Sequence, residues 1–507
     1  MSAPRQSIAS KPQPKVLLSC LLIIVGVLLV FGQVSTFEFL NFDDNLYVTE
    51  NAVVLSGLTR ESVRWSFIST LGGHWHPLSW LSLMLDVTLF GPDPSAMHLV
   101  NLGFHVLNSV LLFFLVNRVT GHVSVALISA LLFALHPLRI ESVAWVSQRK
   151  DLLSLNLGLL SALLYLRWQD KRSSVLYGYS LVAFLLALLA KPTMITIPVL
   201  LVLLEVGRCL CRGQEFSPLL TLSYHRNKLP FVMIAFGVAC LAIVSQAAGG
   251  GLRTFDDFSV LHRFEIAFTG YVTYLGKIFW PFQSSVFYPV VLFPAGLAFG
   301  CLLCLLILSV AFWNVRERYP ELVLSWLWFL ISLLPVIGFV MVGAQAVADR
   351  WTQLSHIGPL VGLTHLCMRT LPRLRVLPVC IVPLFALQTF YGLGTWKSSE
   401  SLFARALELN PNNFLAHTNL GAAQLAPDQL RSRVHHFEEA VRLNPTYPEA
   451  LNNLGMVRAQ EGRFFEAKGY FEKALSLNPN LIAARSNLNQ VDVDLRRQTE
   501  GDGGYQY

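Results

Sequence analysis

The sequence predicts an all-α protein in two parts, a polytopic bundle of about eleven transmembrane helices and a C-terminal α-solenoid, and three observations predict it. Of 507 residues, 54% are hydrophobic and 14% charged, whereas ordinary soluble domains carry about a quarter charged residues. Apolar runs of about 20 residues, long enough to cross a ~30 Å hydrocarbon layer as helix, recur over the first four-fifths of the chain and then stop. A 34-residue period takes over from there. The chain is accordingly divided into a membrane domain (1–395), repeats (396–490) and a flexible polar tail (491–507).

The first apolar run, Val16 to Val34, follows Arg5, Lys11 and Lys15. It is too long for a secretory signal and has no small-residue cleavage site, so it reads as an uncleaved span with its basic end in the cytoplasm. Further spans are predicted near 97–117, 123–136, 152–166, 174–190, 193–207, 231–247, 291–313, 321–341, 354–368 and 376–394. That order puts Arg118, Arg167, Lys171, Arg172, Arg208, Arg212, Arg226, Lys228, Arg316, Arg318, Arg369, Arg373 and Arg375 in cytoplasmic segments, while the opposite loops are longer and less basic. The stretch 264–280 is apolar enough for a twelfth span, but counting it would turn the basic "NVRERYP" outward, so it reads as an interfacial or re-entrant piece. The formal charge of +7 is largely these anchors and requires no nucleic acid. Six cysteines fall in spans, and Cys209 and Cys211 in a cytoplasmic loop. Outward loops therefore hold no disulfide framework, and Cys209-x-Cys211 lacks partners at zinc-ligand spacing.

Phe403, Phe437 and Phe471 are 34 residues apart, as are Asn419, Asn453 and Asn487, and Pro411, Pro445 and Pro479. This period, with its small, aromatic and proline positions, is the tetratricopeptide signature. Two and a half to three repeats fit, near the minimum for a stable stack, and such arrays bind a peptide or protein on their concave face. The plainer reading is that the array packs on the membrane domain or mediates oligomer contacts. An odd number of spans puts it on the outer side.

Charged groups near hydrocarbon are costly and need water or a function. Outward loops gather Asp43, Asp44 and Glu50, then His74 and His76 in "HWHPLSWLSLMLD"; next come His136, Arg139, Glu141, Arg149, Lys150 and Asp151, then Lys191, and finally Asp349, Arg350 and His356. Acids from one loop and cations from three others converging on one cavity suit transfer from a lipid phosphate. Arg149, Lys191 and Arg350 would hold the phosphate as leaving group while a carboxylate takes a proton from an incoming hydroxyl. Two adjacent acids facing one cavity would push one pKa upward. The structural alternatives are a solvated turn for Asp43–Asp44, an ion pair and N-cap for Arg149–Asp151, a snorkelling Lys191, interfacial histidines, and a helix break at His136–Pro137.

The ordered series "FDDNLYVTEN", "HPLSWLSLMLDVTLFG", "HPLRIESVAWVSQRKDLLS", "AKPTMITIPVLLVLLE", "FYP" and "ADRWTQLSHIGP", followed by tetratricopeptide repeats, resembles the transmembrane and tetratricopeptide repeat (TMTC) O-mannosyltransferases and their bacterial relatives over almost the whole chain. The resemblance implies a GT-C membrane glycosyltransferase, inverting, that transfers a sugar from a polyprenyl-phosphate donor to a hydroxyl on the outer side of the membrane. It implies Asp44 as base or acceptor-orienting group, Asp43 second and Glu141 as a further acidic candidate, with Arg149 and Arg350 facing the donor phosphate beside the Lys191 that the residues themselves suggest. His74, His76, His136 and Asp151 are substrate-binding candidates. Gln148 replaces the family's usual small residue and Thr352–Gln353 its usual aromatic, so mannose is inherited from the resemblance alone. A divalent cation, Mg or Mn, near the acids is left open. The expected partners are the lipid-linked donor, a polypeptide acceptor at the repeats and membrane lipid, and the expected place is a bacterial inner membrane with the N-terminus cytoplasmic and the repeats periplasmic. Competing readings are a non-catalytic scaffold for envelope proteins and a lipid-linked-sugar transporter.

Overall fold

The computed structural model describes residues 14–214, 222–248, 258–282, 284–289, 294–341 and 345–502. The basic flank Arg5 and Lys11 and the last five residues lie outside these. The chain divides into a membrane unit (1–38, 44–284 and 288–394) and a repeat unit (39–43, 285–287 and 395–507).

The membrane unit opens with α1 (Pro14–Phe31), the short α2 (Ala52–Leu55) and α3 (Arg60–Ile68), then α4 (Pro77–Phe90), α5 (Pro94–Thr120) and α6 (Val123–Ala134). A short α7 (Ile140–Ala144) leads into α8 (Arg149–Lys171), α9 (Ser174–Ala190) and α10 (Ile197–Cys211). It continues through α11 (Leu229–Ala248), α12 (Val260–Phe279), α13 (Ala295–Asn314), α14 (Pro320–Leu333), α15 (Thr352–Ser355), α16 (Ile357–His365) and α17 (Val376–Leu393). Two short antiparallel strands, β1 (Tyr288–Pro289) and β2 (Gln345–Val347), pair between α12 and α15.

Local chemistry sets the helix ends. Proline opens α4 and α5, where its missing N–H costs nothing, and Asp93 Oδ2 accepts from the Ala96 N–H at 3.0 Å to cap α5. Gly121, with φ +71°, ends α5 in the left-handed conformation that glycine adopts without strain. The interior is aromatic and aliphatic, with Phe113, Phe133, Tyr165, Phe184, Phe231 and Phe329 fully buried. Leu17, Leu21 and Leu29 of α1 and Leu306, Ile307 and Val310 of α13 are instead exposed. Helices apolar on every face fit a hydrocarbon surround.

Among the described residues, six helical segments are long and apolar enough to cross a membrane: Pro14–Thr36, Pro94–Thr120, Pro192–Cys211, His225–Ala248, Gly296–Asn314 and Val376–Trp396. The bent pair Val123–Ala134 and Pro137–Ala144 makes a seventh if it is one span. The sequence predicts eleven. The difference lies in α8, polar at both ends, and in α9, α14 and α16, of 17, 14 and 9 residues; at 1.5 Å per residue α14 rises only ~21 Å. All of the stretch 264–280 but its last residue falls within α12, a 20-residue helix whose Tyr271 hydroxyl donates to the Leu330 carbonyl at 2.8 Å.

Among the described residues the repeat unit holds six α-helices: α18 (Ser399–Leu409), α19 (Phe414–Ala423), α20 (Leu430–Leu443), α21 (Pro448–Gln460), α22 (Phe464–Leu477) and α23 (Ile482–Asp502). Asn410, Asn444 and Asn478, each before a proline, leave the helical conformation at the ends of α18, α20 and α22, because proline's ring excludes it from the preceding residue. Gly421 faces Phe437, and Gly455 faces Phe471, so closely that a Cβ would lie 2.7 Å from the ring. The small and aromatic positions of the 34-residue period are thus one contact made twice. Residues 491–502, expected as a flexible tail, continue α23, with Val491 buried beside Phe471. The segment 39–43 joins this unit: the Asn41 N–H donates to Ser399 Oγ, its side-chain amide donates to the Asn419 carbonyl, both at 2.9 Å, and Phe42 packs edge-on against Phe403.

Candidate active site

The site grows from the break after α6. Pro137 cannot continue that helix, and the chain bends by 59°. It then runs through α7 and a single 3-10 turn into α8. Along 136–151, His136, Arg139, Glu141, Ser147, Arg149, Lys150 and Asp151 are all buried. Buried charge persists only when paired or hydrogen-bonded, and each acid here has its partner.

Asp44 is fully buried, and its Oδ1 accepts from the Ser147 N–H at 2.9 Å and from the Ser147 hydroxyl. Three residues along each strand of this contact, the Lys150 ammonium lies 4.1 Å above the Tyr47 ring. Glu141 accepts from the Arg350 N–H at 2.7 Å and from its guanidinium. Asp151 takes the Lys191 ammonium on both oxygens, at 2.7 and 2.8 Å. Lys277 reaches Asp349 at 2.5 Å and the Tyr288 hydroxyl at 2.6 Å.

Electrostatics ties these pairs together at His74, whose imidazole hydrogen-bonds the Gln246 side chain at 2.8 Å. Burial, then Lys150, Lys191 and Arg350, hold its pKa down to about 3. His76 is pushed well below the usual histidine value by burial first and then by His74, Lys150 and Lys191. It stacks on Tyr47 and Trp80, and its Nε2 has no hydrogen-bond partner among the described residues. Burial lowers the Lys191 ammonium pKa, and Asp151 opposes that shift. Cations from the first turn of α8, the α9–α10 junction and the segment after β2 therefore act on one spot.

Sequence-predicted residues divide against this geometry. His74, His76, Glu141, Asp151, Lys191 and Arg350 come together. Arg149, expected at the donor phosphate, is held by protein groups. Its guanidinium is fully buried, paired with Asp86 at 2.7 Å and donating to Ser82 Oγ at 3.0 Å, to the Met97 carbonyl at 2.9 Å and to Asn101. The interior takes it because α4 supplies a buried carboxylate that no solvent competes for. His136 is likewise inward: its Nδ1 accepts from the Leu138 N–H at 3.2 Å and its Nε2 lies 3.3 Å from the Ile278 carbonyl. Asp43 groups with the repeat unit, where its charge acts on Tyr447, while Asp44 groups with the membrane unit and binds Ser147. Sequence reasoning gave no role to Asp86, Ser147, Lys277 and Tyr288. Tyr288 lies in "FYP", and Asp86 ends the quoted run "LSLMLD"; those were the available signals.

Among the described residues no group of three or more His, Cys, Asp or Glu side chains could hold a metal ion. The acids of the cluster are answered by serine, arginine and lysine, and no step is routed through a metal ion.

These features define an all-α protein with membrane-like helices, a buried ionic cluster and a tetratricopeptide array. The tetratricopeptide repeat pattern matches residues 448–481, which are α21 and α22. Over 385 residues the chain is 22% identical to Protein O-mannosyl-transferase F38B6.6 of Caenorhabditis elegans, covering 70% of this chain and 52% of that protein. It is 32% identical over 176 residues to Protein O-mannosyl-transferase Tmtc1 of Drosophila melanogaster (33% and 20% covered), and 24% identical over 403 residues to human Protein O-mannosyl-transferase TMTC3 (69% and 42%). The chain thus spans about half the length, or less, of the curated relatives it matches. It is similar to proteins named as O-mannosyl-transferases of the TMTC type, and it carries a tetratricopeptide repeat.

Proposed function

We propose that the chain is an inverting GT-C glycosyltransferase that moves a sugar from a polyprenyl-phosphate donor to a hydroxyl on a protein, at the extracytoplasmic face of a bacterial inner membrane. Mannose as the sugar rests on the relatives' names. One arrangement carries the reading: within the membrane unit Lys150 lies over the Tyr47 ring on which His76 stacks, Lys191 closes on Asp151 and Arg350 on Glu141, so that cations from three separate elements surround the His74–His76 pair. Three convergent cations suit an anionic phosphate.

In this reading the donor phosphate sits against Lys191 and Arg350, which Asp151 and Glu141 hold in position. The acceptor oxygen bonds to the anomeric carbon from the face opposite the phosphate. The carbon–oxygen bond to phosphate breaks, its electron pair passes to the phosphate, and the cations stabilise that charge. The acceptor's proton goes to Asp44, whose orientation Ser147 fixes through two donors on one oxygen. The repeats present the polypeptide.

The test is transfer in vitro by the purified full chain with a polyprenyl-phosphate sugar. Asp44→Asn is expected to reduce kcat by about 10²- to 10⁴-fold, and Asp43→Asn to leave it within a few-fold. Full transfer by Asp44→Asn overturns the assignment. The tetratricopeptide match favours one second reading, a scaffold that only recruits protein; it predicts a function in cells that withstands both Asp44→Asn and Lys191→Gln.

A further inference from the structure

The membrane unit has a second polar end. Along α8, Arg149 and Asp170 are 21 residues apart, as are Met97, which binds Arg149, and Arg118 along α5. At 1.5 Å per residue either interval is ~31 Å, about the thickness of bilayer hydrocarbon. At the far end, Asp170 pairs with both Arg118 and Arg208, and Arg212 donates to the Arg118 carbonyl at 3.4 Å. Arg167 adds its charge beside Arg118, and Arg369 adds its charge beside His122, whose ring lies 6.4 Å from that of His365. His365 meets Glu321 at 3.8 Å. The guanidiniums of Arg118, Arg167, Arg208, Arg212 and Arg369 therefore outnumber the carboxylates of Asp170, Glu205 and Glu321 at this end, and Arg167, Arg212 and Arg369, all exposed, close no ion pair within 4 Å among the described residues.

A cavity of about 180 Å³ between α5, α10, α14 and α16 opens onto this cluster. Leu115, Val119, Leu204, Leu324, Trp328 and Val361 line it, with Glu321 and His365 at its polar end. An apolar cavity of ~150 Å³ stays dry and takes an apolar guest. Basic pockets between membrane helices take anionic lipid headgroups.

We propose that this end of the membrane unit binds an anionic glycerophospholipid, with part of one acyl chain in the cavity and the headgroup phosphate on Arg118, Arg212 and Arg369. The occupant is not the sugar donor. A donor phosphate at Lys191 and Arg350 would be a bilayer's thickness away, and five guanidiniums at this rim call for an anion of their own.

The experiment is native mass spectrometry of the full chain released from mixed micelles of phosphatidylcholine and phosphatidylglycerol. Wild type is expected to retain one phosphatidylglycerol in preference to phosphatidylcholine. Gly207→Phe should lose it, because a Cβ at Gly207 meets Leu324 and Val119 only at 3.4 and 3.6 Å and a ring there would enter the cavity. Arg212→Gln with Arg369→Gln should cut the preference by about fivefold per arginine; both side chains are exposed, so this pair decides the matter if Gly207→Phe fails to fold. Equal retention of the two lipids, retention unchanged in the arginine pair, or displacement of the lipid by polyprenyl phosphate overturns the proposal. Asp44→Asn should keep the lipid, which separates this site from the transfer reaction.

Discussion

Glu141 and Arg350, 209 residues apart, close on each other twice: the Arg350 backbone N–H donates to Glu141 Oε2 at 2.7 Å and its guanidinium donates to Oε1. The acid thus fixes both the chain and the charge of the residue that follows Asp349. Removing the carboxylate with Glu141→Ala strands a largely buried guanidinium, at a cost of about 3 kcal/mol, read as a lowered melting temperature in detergent. Arg350→Gln leaves the Glu141 carboxylate its backbone donor but not its cation, so it should lose a similar amount of stability and in addition raise the donor KM about tenfold.

Arg149 is the contrasting case. Its partner is protein, so Arg149→Ala leaves Asp86 buried and unpaired, and about 3–5 kcal/mol of stability should go. The double change Arg149→Met with Asp86→Leu removes both charges and should restore most of the melting temperature. Recovery of the fold without recovery of transfer would return Arg149 to the donor site.

Ser147 acts through Asp44. Ser147→Ala keeps the backbone N–H donor and removes the hydroxyl. A loss of about tenfold in kcat with KM unchanged is expected from one misaligned group. The readout is the kcat-against-KM split, which a merely structural role would not produce.

The repeats carry their own pH response. His417 and His436 approach through their Nδ1 atoms at 3.0 Å. Burial, then His417 and His435, hold His436 down to about 4. Burial also lowers His417, with His435 and Arg442 adding to the shift, while the Pro411 carbonyl and Glu439 oppose it. A histidine depressed in the folded state stays neutral while the unfolded chain takes up a proton near pH 6.5. Stability contributed by neutral His436 is therefore present above about pH 6.5 and falls away as the pH drops towards 4. Hydrogen exchange of peptides from 430–443 in the full chain should quicken over that window, and His436→Gln should flatten the response.

A steric prediction follows for the same helices. Gly421→Ala puts a Cβ 2.7 Å from the Phe437 ring. Overpacking of this kind costs about 1–3 kcal/mol, so exchange in α19 and α20 should rise. Phe437→Leu in the same chain should relieve part of it.

Legibility in the sequence followed the range of each interaction. The repeat helices were readable because their determinants are local and recur: Asn-Pro ends a helix wherever it stands, and a small residue always meets the same aromatic. The cationic character of the site was readable too, since Lys191 and Arg350 sit in short polar interruptions of apolar sequence. Which acid answers which base was not. Asp86 lies at the end of an apolar run and offers no hint that it will bind Arg149, and adjacency made Asp43 and Asp44 look like one device although the fold assigns them to different units. Hydropathy marks eleven apolar stretches, and six to seven of them are long single helices among the described residues; the others are polar at their ends, like α8, or shorter, like α9, α14 and α16.

Residues 39–43 give the first repeat helices hydrogen bonds from Asn41 and a ring from Phe42. The array is therefore assembled from two distant stretches of one polypeptide, and the earlier stretch is followed immediately by Asp44. Truncating the chain after Gly394 would orphan Asn41 and Phe42, the latter two peptide bonds from the proposed base. An inactive truncation would then report a disturbed carboxylate as readily as a lost docking platform, so acceptor recruitment is better probed by surface substitutions that leave Ser399, Phe403 and Asn419 in place.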